Sequence, residues 1–262
     1  MSDRENTPLH GLARDGPLWR WVAGGSRFGG RGGSYNSPVL IHDLGTMAYR
    51  DAWALQEAAH AEVLGGAEER VLLVEHPPVI TFGRRPNVAR NLLASDEQLA
   101  KLGVEVVQSD RGGDITFHGP GQVVAYPIIR LNEHGFSVGG YVHTLERIIV
   151  NTLGELGVSS NSDPTAVGVW TPVPACGSSG KICAIGVRIK RGVSLHGIAL
   201  NVTTDLSYFN LIVPCGLQGR PVTSIGQVLG EAAPSISRVK EVLTREFRSQ
   251  LGQRRQGAAA VS

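Results

Sequence analysis

Strand-length apolar stretches follow one another in runs along this chain, with helical stretches between only some of them. That order constrains the fold more than any other feature. Residues 39–42, 71–75, 79–83, 104–108, 116–118, 123–129, 182–189 and 195–202 read as strands. Residues 46–64 carry Ala48, Ala52, Leu55, Ala59 and Val63 at helical spacing, and 95–102 makes a short helix. Residues 138–157 are striped by Tyr141, Leu145, Ile148, Ile149, Leu153 and Leu156, and Pro234-Ser235 opens a last helix reaching about 251. A doubly wound sheet needs regular strand–helix alternation, which is missing. The expectation is therefore an α+β fold, a mixed β-sheet with helices packed on one side of it. His76-Pro77-Pro78 parts two strands, because proline removes a donor and restricts its predecessor. The stretches 116–118 and 123–129 are expected to pair across Gly119-Pro120-Gly121, and 171–179, with two prolines and a glycine, to form an elongated loop.

At 262 residues the chain buries a sizeable core without staples, and 42% hydrophobic against 18% charged residues makes it globular rather than disordered. A net charge of +2 argues for neither a nucleic-acid nor a membrane partner. Cys176, Cys183 and Cys215 match no zinc spacing and make no disulfide framework, so no metal is expected and a reducing compartment is. No apolar run is long enough to span a membrane, and the first residues lack an apolar signal core. The reading is cytoplasmic. Arg4, Arg14, Arg20, Arg27 and Arg31 would suit a mitochondrial address in a eukaryotic chain, although Asp3, Glu5 and Asp15 speak against one. Residues 1–37, with three glycine pairs around Ser26, Arg27 and Arg31, read as a flexible arm. An RGG-type RNA-binding element is the alternative to a solvated tail. Residues 38–252 read as one domain and 253–262 as a frayed tail.

Three regions carry chemistry. Cys215 sits in Pro214-Cys215-Gly216, a loop setting in which a thiol could meet an acyl carbonyl. A thiol near pKa 8.5 is only about 3% thiolate at pH 7, so a nucleophilic cysteine needs a neighbouring cation or base. A buried structural thiol is the equal alternative. Lys181, thirty-four residues earlier in Gly180-Lys181-Ile182, opens an apolar strand. It could act as an ammonium beside a thiolate, as a desolvated amine that takes a proton, or only as a charge at a strand edge. The glycine-rich run Arg111-Gly112-Gly113-Asp114-Ile115-Thr116-Phe117-His118 offers backbone N–H groups, an arginine for an anion or carbonyl, and a histidine for acid–base work. A turn with a satisfied histidine is its plain alternative.

Together these residues resemble the lipoyl(octanoyl) transferase family. Residues 111–122 resemble its RGG-x-x-T-[FY]-HGPGQ signature, 180–186 its GKI-x-x-x-G segment, 194–202 its S-x-HG-x-ALNV segment and 214–216 its PCG loop. Glu75-His76-Pro77-Pro78 with Thr81 and Gly83-Arg84 matches as well, and all five lie in family order over roughly residues 38–250. The resemblance implies an acyltransferase with the α+β fold shared by lipoate and biotin ligases. In it octanoyl passes from acyl carrier protein to Cys215 as a thioester, then to a lysine of a lipoyl-accepting domain. The acceptors implied are the E2 subunits of 2-oxoacid dehydrogenases and the glycine cleavage H protein. By the resemblance, Lys181 lowers the pKa of Cys215. Substrate is bound by Arg111, Gly112, Gly113, Asp114, Ile115, Thr116, Phe117 and His118, by Ala184, Ile185 and Gly186, and by Gly197, Ile198 and Ala199. No cofactor, metal, nucleic acid or membrane is implied. Val193, Leu195 and Val213 depart from the family pattern, the last beside the cysteine loop.

Two rivals stand. An ATP-dependent lipoate or biotin ligase would keep a comparable lysine but has no use for Cys215. Arg84-Arg85 here leads into Pro86-Asn87 rather than toward a glycine triplet. A non-catalytic carrier- or RNA-binding module would rest on the glycine/arginine arm and would bind with strong salt dependence.

Overall fold

The computed structural model describes residues 39–173, 177–213 and 220–252. The expected arm, the expected tail, Cys176 and Cys215 lie outside the described residues.

Two sheets carry the strands. The larger has seven strands: β1 (Leu40–Thr46), β2 (Arg70–Glu75), β6 (Gln122–Ile128), β10 (Val193–Asn201), β9 (Ser178–Lys190), β8 (Val169–Val173) and β7 (Asn161–Ser162), in that spatial order. Only β1 and β2 run parallel; the other neighbours are antiparallel, so the sheet is mixed. The smaller sheet has β3 (Val79–Phe82) at its centre, parallel to β4 (Glu105–Gln108) and antiparallel to β5 (Thr116–His118).

The expected hairpin over 116–129 does not form. β5 pairs with β3 in the small sheet, whereas β6 pairs with β2 and β10 in the large one. Gly119-Pro120-Gly121 thus carries the chain from one sheet to the other. Gly121, at φ +79°, gives its carbonyl to the amides of Val202 and Thr203, and a Cβ there would lie 2.7 Å from Thr203. The tertiary bond to the end of β10 overrides the local turn.

Helices lie on both faces of the large sheet, not on one. Helix α3 (Val138–Glu155) and helix α5 (Ile236–Leu251) pack Leu145, Ile148, Leu243 and Phe247 against Val71, Leu73, Val123, Ala125, Ile198 and Leu200. Each such buried side chain contributes about 1.5–3 kcal/mol. Both helices start as the sequence signals: Ser137 accepts from the Gly140 amide at 3.0 Å and Ser235 from the Arg238 amide at 3.2 Å. Helix α1 (Tyr49–Leu64) covers the opposite face, where Ala52, Ala59 and Val63 meet the alternate residues Leu72, Val74, Val124, Tyr126 and Ile128. Its small alanines disguise the burial in an apolar count. Helix α2 (Asp96–Lys101) carries a Ser95/Gln98 capping box, and the short α4 (Ile225–Leu229) carries no periodicity to be read.

Of the expected loop over 171–179, residues 171–173 and 178–179 are strand, and 174–176 lie outside the described residues. β8 ends at Val173 and pairs with β9, which starts at Ser178. Pro172 is tolerated there because its neighbour across the sheet, β7, pairs only with Val169 and Trp170, leaving no partner for the missing N–H.

Candidate active site

A cleft opens between the large sheet and the small one. Its floor is the middle of the β9–β10 pair, where Gly186 faces Gly197 and Ala184 faces Ala199. Their alternate neighbours Ile185 and Ile198 form the pair between them. Small residues opposite one another leave a trough in a sheet that would otherwise be filled. The roof is the run 111–115. The Gly112 amide donates to the Val187 carbonyl at 3.0 Å, stapling roof to floor. A Cβ on Gly112 would lie 2.8 Å from the Val187 oxygen, and one on Gly186 2.9 Å from the Gly112 oxygen. Both glycines are therefore fixed by backbone approach. The main cleft holds about 470 Å³ of space including its open mouth. Tyr49, Val124 and Tyr126 line it beside the expected residues Arg111, Gly113, Asp114, Ile115, Thr116, His118, Ala184, Ile185, Gly186, Gly197, Ile198 and Ala199.

Lys181 enters a second hollow that shares Thr116, Ala184 and Ala199 with the first and adds Gln122, Asn201, Phe209 and Val222. Lys181 does not open its strand but lies inside β9, opposite Trp170 of β8. Its side chain is buried, with Nζ donating to the Val167 carbonyl at 3.0 Å and lying 4.9 Å from the centre of the Trp170 ring. Its backbone is held on the other side too: its N–H donates to the Pro221 carbonyl and its carbonyl accepts from Thr223. Val213 donates to the Asn91 carbonyl at 2.7 Å. The two ends of the cysteine-bearing stretch are thus anchored, one beside Lys181 and the other beside the roof. Cys215 itself lies outside the described residues.

The roof is wired to the small sheet through Arg111. Its Nε and Nη2 donate to the Thr81 hydroxyl at 3.1 and 3.0 Å, Nη2 donates to the Thr81 carbonyl at 2.7 Å, and Nη1 donates to the Gly112 carbonyl at 3.1 Å. His118 is buried, and desolvation, with the neighbouring His76 and the Arg111 charge, holds it well below the ordinary histidine range, so its ring is neutral. Gln122 Nε2 donates to Asn201 Oδ1 at 2.8 Å and to the Phe117 carbonyl at 3.2 Å, so Gln122 Oε1 is the acceptor for His118 Nδ1–H at 2.7 Å. His118 Nε2 then carries a lone pair, 3.4 Å from the Thr81 hydroxyl. Asp114 caps the Ile115 amide at 2.7 Å and accepts from Asn91 Nδ2 at 2.8 Å.

The expected positions do not all converge. Phe117 points away from the cleft into the small core, stacked on Tyr208 at 4.7 Å, because it alternates with Thr116 and His118 along β5. Gly112 serves as the staple rather than as lining. Sequence reasoning gave no role to Thr81, Gln122 or Asn201, which lie in the matched motifs but speak only through their tertiary partners. Tyr49 and Tyr126 carried no signal beyond helix and strand periodicity. His196 also emerges: at φ +57° it is buried, its Nε2 lies 2.6 Å from Asp110 Oδ1, and Asp110 also pairs with Arg188. Burial and the Arg111 charge push the His196 imidazole down to about 3, leaving it neutral. The described residues hold no group of three metal-ligating side chains.

The lipoyl protein ligase A/B catalytic-domain family matches residues 48–248. An octanoyltransferase of Chloroflexus aurantiacus is 47% identical over 209 residues, covering 78% of this chain and 90% of that protein. One of Nitratidesulfovibrio vulgaris is 43% identical over 209 residues, covering 80% and 93%. Among solved structures, a lipoate-protein ligase A bound with ATP aligns with a TM-score of 0.68 at 17% identity, over 82% of this chain and 86% of that one. A bi-partite lipoate protein ligase from Thermoplasma acidophilum aligns at 0.64 and 18% identity, over 82% and 84%. At such identities these two bear on the fold alone, an α+β catalytic domain with a mixed sheet. The sequence relatives reach further: the chain belongs to the octanoyltransferases, acyltransferases of the lipoyl protein ligase A/B catalytic-domain family.

Proposed function

We propose that this protein transfers an octanoyl group from acyl carrier protein, through a thioester on Cys215, to a lysine of a lipoyl-accepting domain. The observation that carries the reading is that Lys181, far from the 111–118 run in the chain, lines a hollow that adjoins that run's cleft and shares Thr116, Ala184 and Ala199 with it. The Cys215 thiolate attacks the donor carbonyl. The carbon–sulfur bond to the pantetheine arm breaks, and the arm leaves as a thiol once protonated. The acceptor amine, having lost a proton, then attacks the Cys215 thioester. An amide forms and the cysteine thiol is restored. The donor is already activated, so no ATP enters. Lys181 supplies the cation that lowers the Cys215 pKa. Arg111, Gly112, Gly113, Asp114, Ile115, Thr116, Phe117 and His118 bind substrate together with Ala184, Ile185, Gly186, Gly197, Ile198 and Ala199. Phe117 contributes from behind, by backing Thr116 and His118. Acceptors in this reading are the lipoyl domains of 2-oxoacid dehydrogenase E2 subunits and the glycine cleavage H protein. Residues 38–252 act as a single catalytic domain in the cytoplasm, with 1–37 a dispensable arm and 253–262 a tail.

The test is intact-protein mass spectrometry after mixing with octanoyl-carrier protein and no ATP, comparing wild type with Cys215→Ser. A hydroxylamine-labile octanoyl adduct on wild type alone is the expected result. Adducts on both, or transfer only when ATP is added, would sink the thioester route and favour a ligase.

A further inference from the structure

Helix α3 packs Leu145, Ile148 and Ile149 into the core of the large sheet and, beside them, buries a carboxylate, Glu146, at 4% exposure. Its Oε1 accepts the Gly168 N–H at 3.2 Å. Its Oε2 lies 3.0 Å from Nδ1 of His143, whose side chain is 78% exposed. One amide and one solvent-facing histidine compensate poorly for taking a charge out of water. A glutamine would serve the amide, and a leucine would suit the surrounding core. The fold therefore does not account for the charge.

The Gly168 amide is one end of a peptide group whose other end holds Lys181. The Val167 carbonyl accepts Lys181 Nζ at 3.0 Å, so the Val167–Gly168 peptide lies between a carboxylate and an ammonium. A trans peptide points its N–H and C=O in opposite directions, and no described peptide is cis. The carboxylate thus meets the positive end of the peptide dipole and the ammonium the negative end. In that order each hydrogen bond polarises and strengthens the other. The peptide is also pressed onto its lysine. Gly168 adopts φ +127°, and a Cβ there would lie 2.6 Å from the Cys183 carbonyl oxygen and 3.4 Å from Lys181 Cε. Val167 is 53% exposed, and a carbonyl in such a loop is a fixed acceptor only if its neighbours are tied. The Ala166 carbonyl takes the Trp170 indole N–H at 2.9 Å on one side, and Glu146 takes the Gly168 amide on the other.

We propose that Glu146 is a positioning residue for Lys181. Its carboxylate fixes the Val167–Gly168 peptide, and that peptide in turn holds the Lys181 ammonium where it lines the second hollow, with the Trp170 ring as a further hold. Glu146 itself touches no reacting atom. The proposal rests on the reading above in which Lys181 favours the Cys215 thiolate, and deepens it by naming the buried group that keeps this cation in place.

A double-mutant cycle tests it, with wild type, Glu146→Gln, Lys181→Ala and the two combined. Glu146→Gln keeps the shape and an acceptor for Gly168 and removes only the charge. Two readouts are taken: labelling of Cys215 by iodoacetamide against pH, followed by peptide mass spectrometry, and kcat and KM for octanoyl-carrier protein. With Lys181 present, Glu146→Gln moves the labelling to higher pH and lowers kcat about 10-fold, with KM within about twofold. In the Lys181→Ala background it moves the labelling no further. An unchanged labelling profile or an unchanged kcat in Glu146→Gln overturns the proposal. So does a labelling shift that persists without Lys181, since a merely structural carboxylate acts alike in both backgrounds. Should Glu146→Gln fail to fold, Glu146→Asp, which keeps the charge but shortens its reach, takes its place in the cycle under the same criteria. If Lys181→Ala itself leaves the labelling unchanged, the reading of Lys181 falls, and the role of Glu146 with it.

Discussion

Arg111 shows what one side chain can decide. Three of its N–H bonds converge on Thr81, so the planar fork is matched to a hydroxyl and a carbonyl at once. Arg111→Lys keeps the charge but loses the fork, and is expected to lower kcat/KM at least about 10-fold with a thermal midpoint near wild type. Retained kcat/KM would mean that charge alone is what the roof requires. Lys181 makes a separate case. Lys181→Ala removes the cation proposed to favour the thiolate, so iodoacetamide labelling of Cys215 should shift to higher pH. An unchanged labelling profile would give Lys181 some other role. His118, with its Nδ1–H given to Gln122, turns its Nε2 toward the Thr81 hydroxyl at 3.4 Å.

At the scale of elements, the site depends on two close approaches. The small sheet sits on the large one because Gly112 and Gly186 let backbones touch, and β10 lies close against its antiparallel neighbour β6 at Gly197, where a Cβ would overlap the Ala125 carbonyl. Gly197→Ala is therefore expected to destabilise by about 3 kcal/mol, the upper range for overpacking, read from the urea midpoint. A loss under about 1 kcal/mol would show that β6 can yield there. Gly112 and Gly186 were readable as site positions from their motifs. The reason they are glycine was not, because it lies in the other element's backbone. The failed hairpin has the same origin: Gly119-Pro120-Gly121 is a competent turn, but Gly121 is claimed by Val202 and Thr203, which arrive some eighty residues later.

Across the whole molecule, the buried histidines couple stability to pH. His76 donates Nδ1–H to the Met47 carbonyl at 2.8 Å and receives the Tyr126 hydroxyl on Nε2 at 2.7 Å, and burial lowers it to about 4. The unfolded chain, with histidine near 6.5, takes up a proton before the folded one does. Stability is thus complete above about pH 6.5 and is lost as pH falls toward 4. By pH 5 the loss from His76 is on the order of 2 kcal/mol. His76→Gln should remove about that much of the difference between urea midpoints at pH 7.5 and pH 5, and an identical pH slope would exclude His76 as the titrating group. Removing residues 1–37 is expected to leave kcat/KM unchanged, since they carry none of the matched motifs; an inactive truncation would tie the arm to catalysis.

The sequence by itself determined the order of eight of the ten strands and four of the five α-helices among the described residues, the start of α5 at Pro234-Ser235, and the motifs that place Lys181, Arg111 and the small-residue pairs in one family. These are local signals, carried by periodicity, capping side chains and short spacing. Only the tertiary structure decided that helices cover both faces of the sheet, since the alanines of α1 bury area without an apolar stripe. It also decided that Thr81, Gln122 and Asn201 hold the site, and that Phe117 backs it. A hydrogen-bond partner thirty to eighty residues away leaves no periodic trace in the chain, so such partners appear only when the two sheets meet.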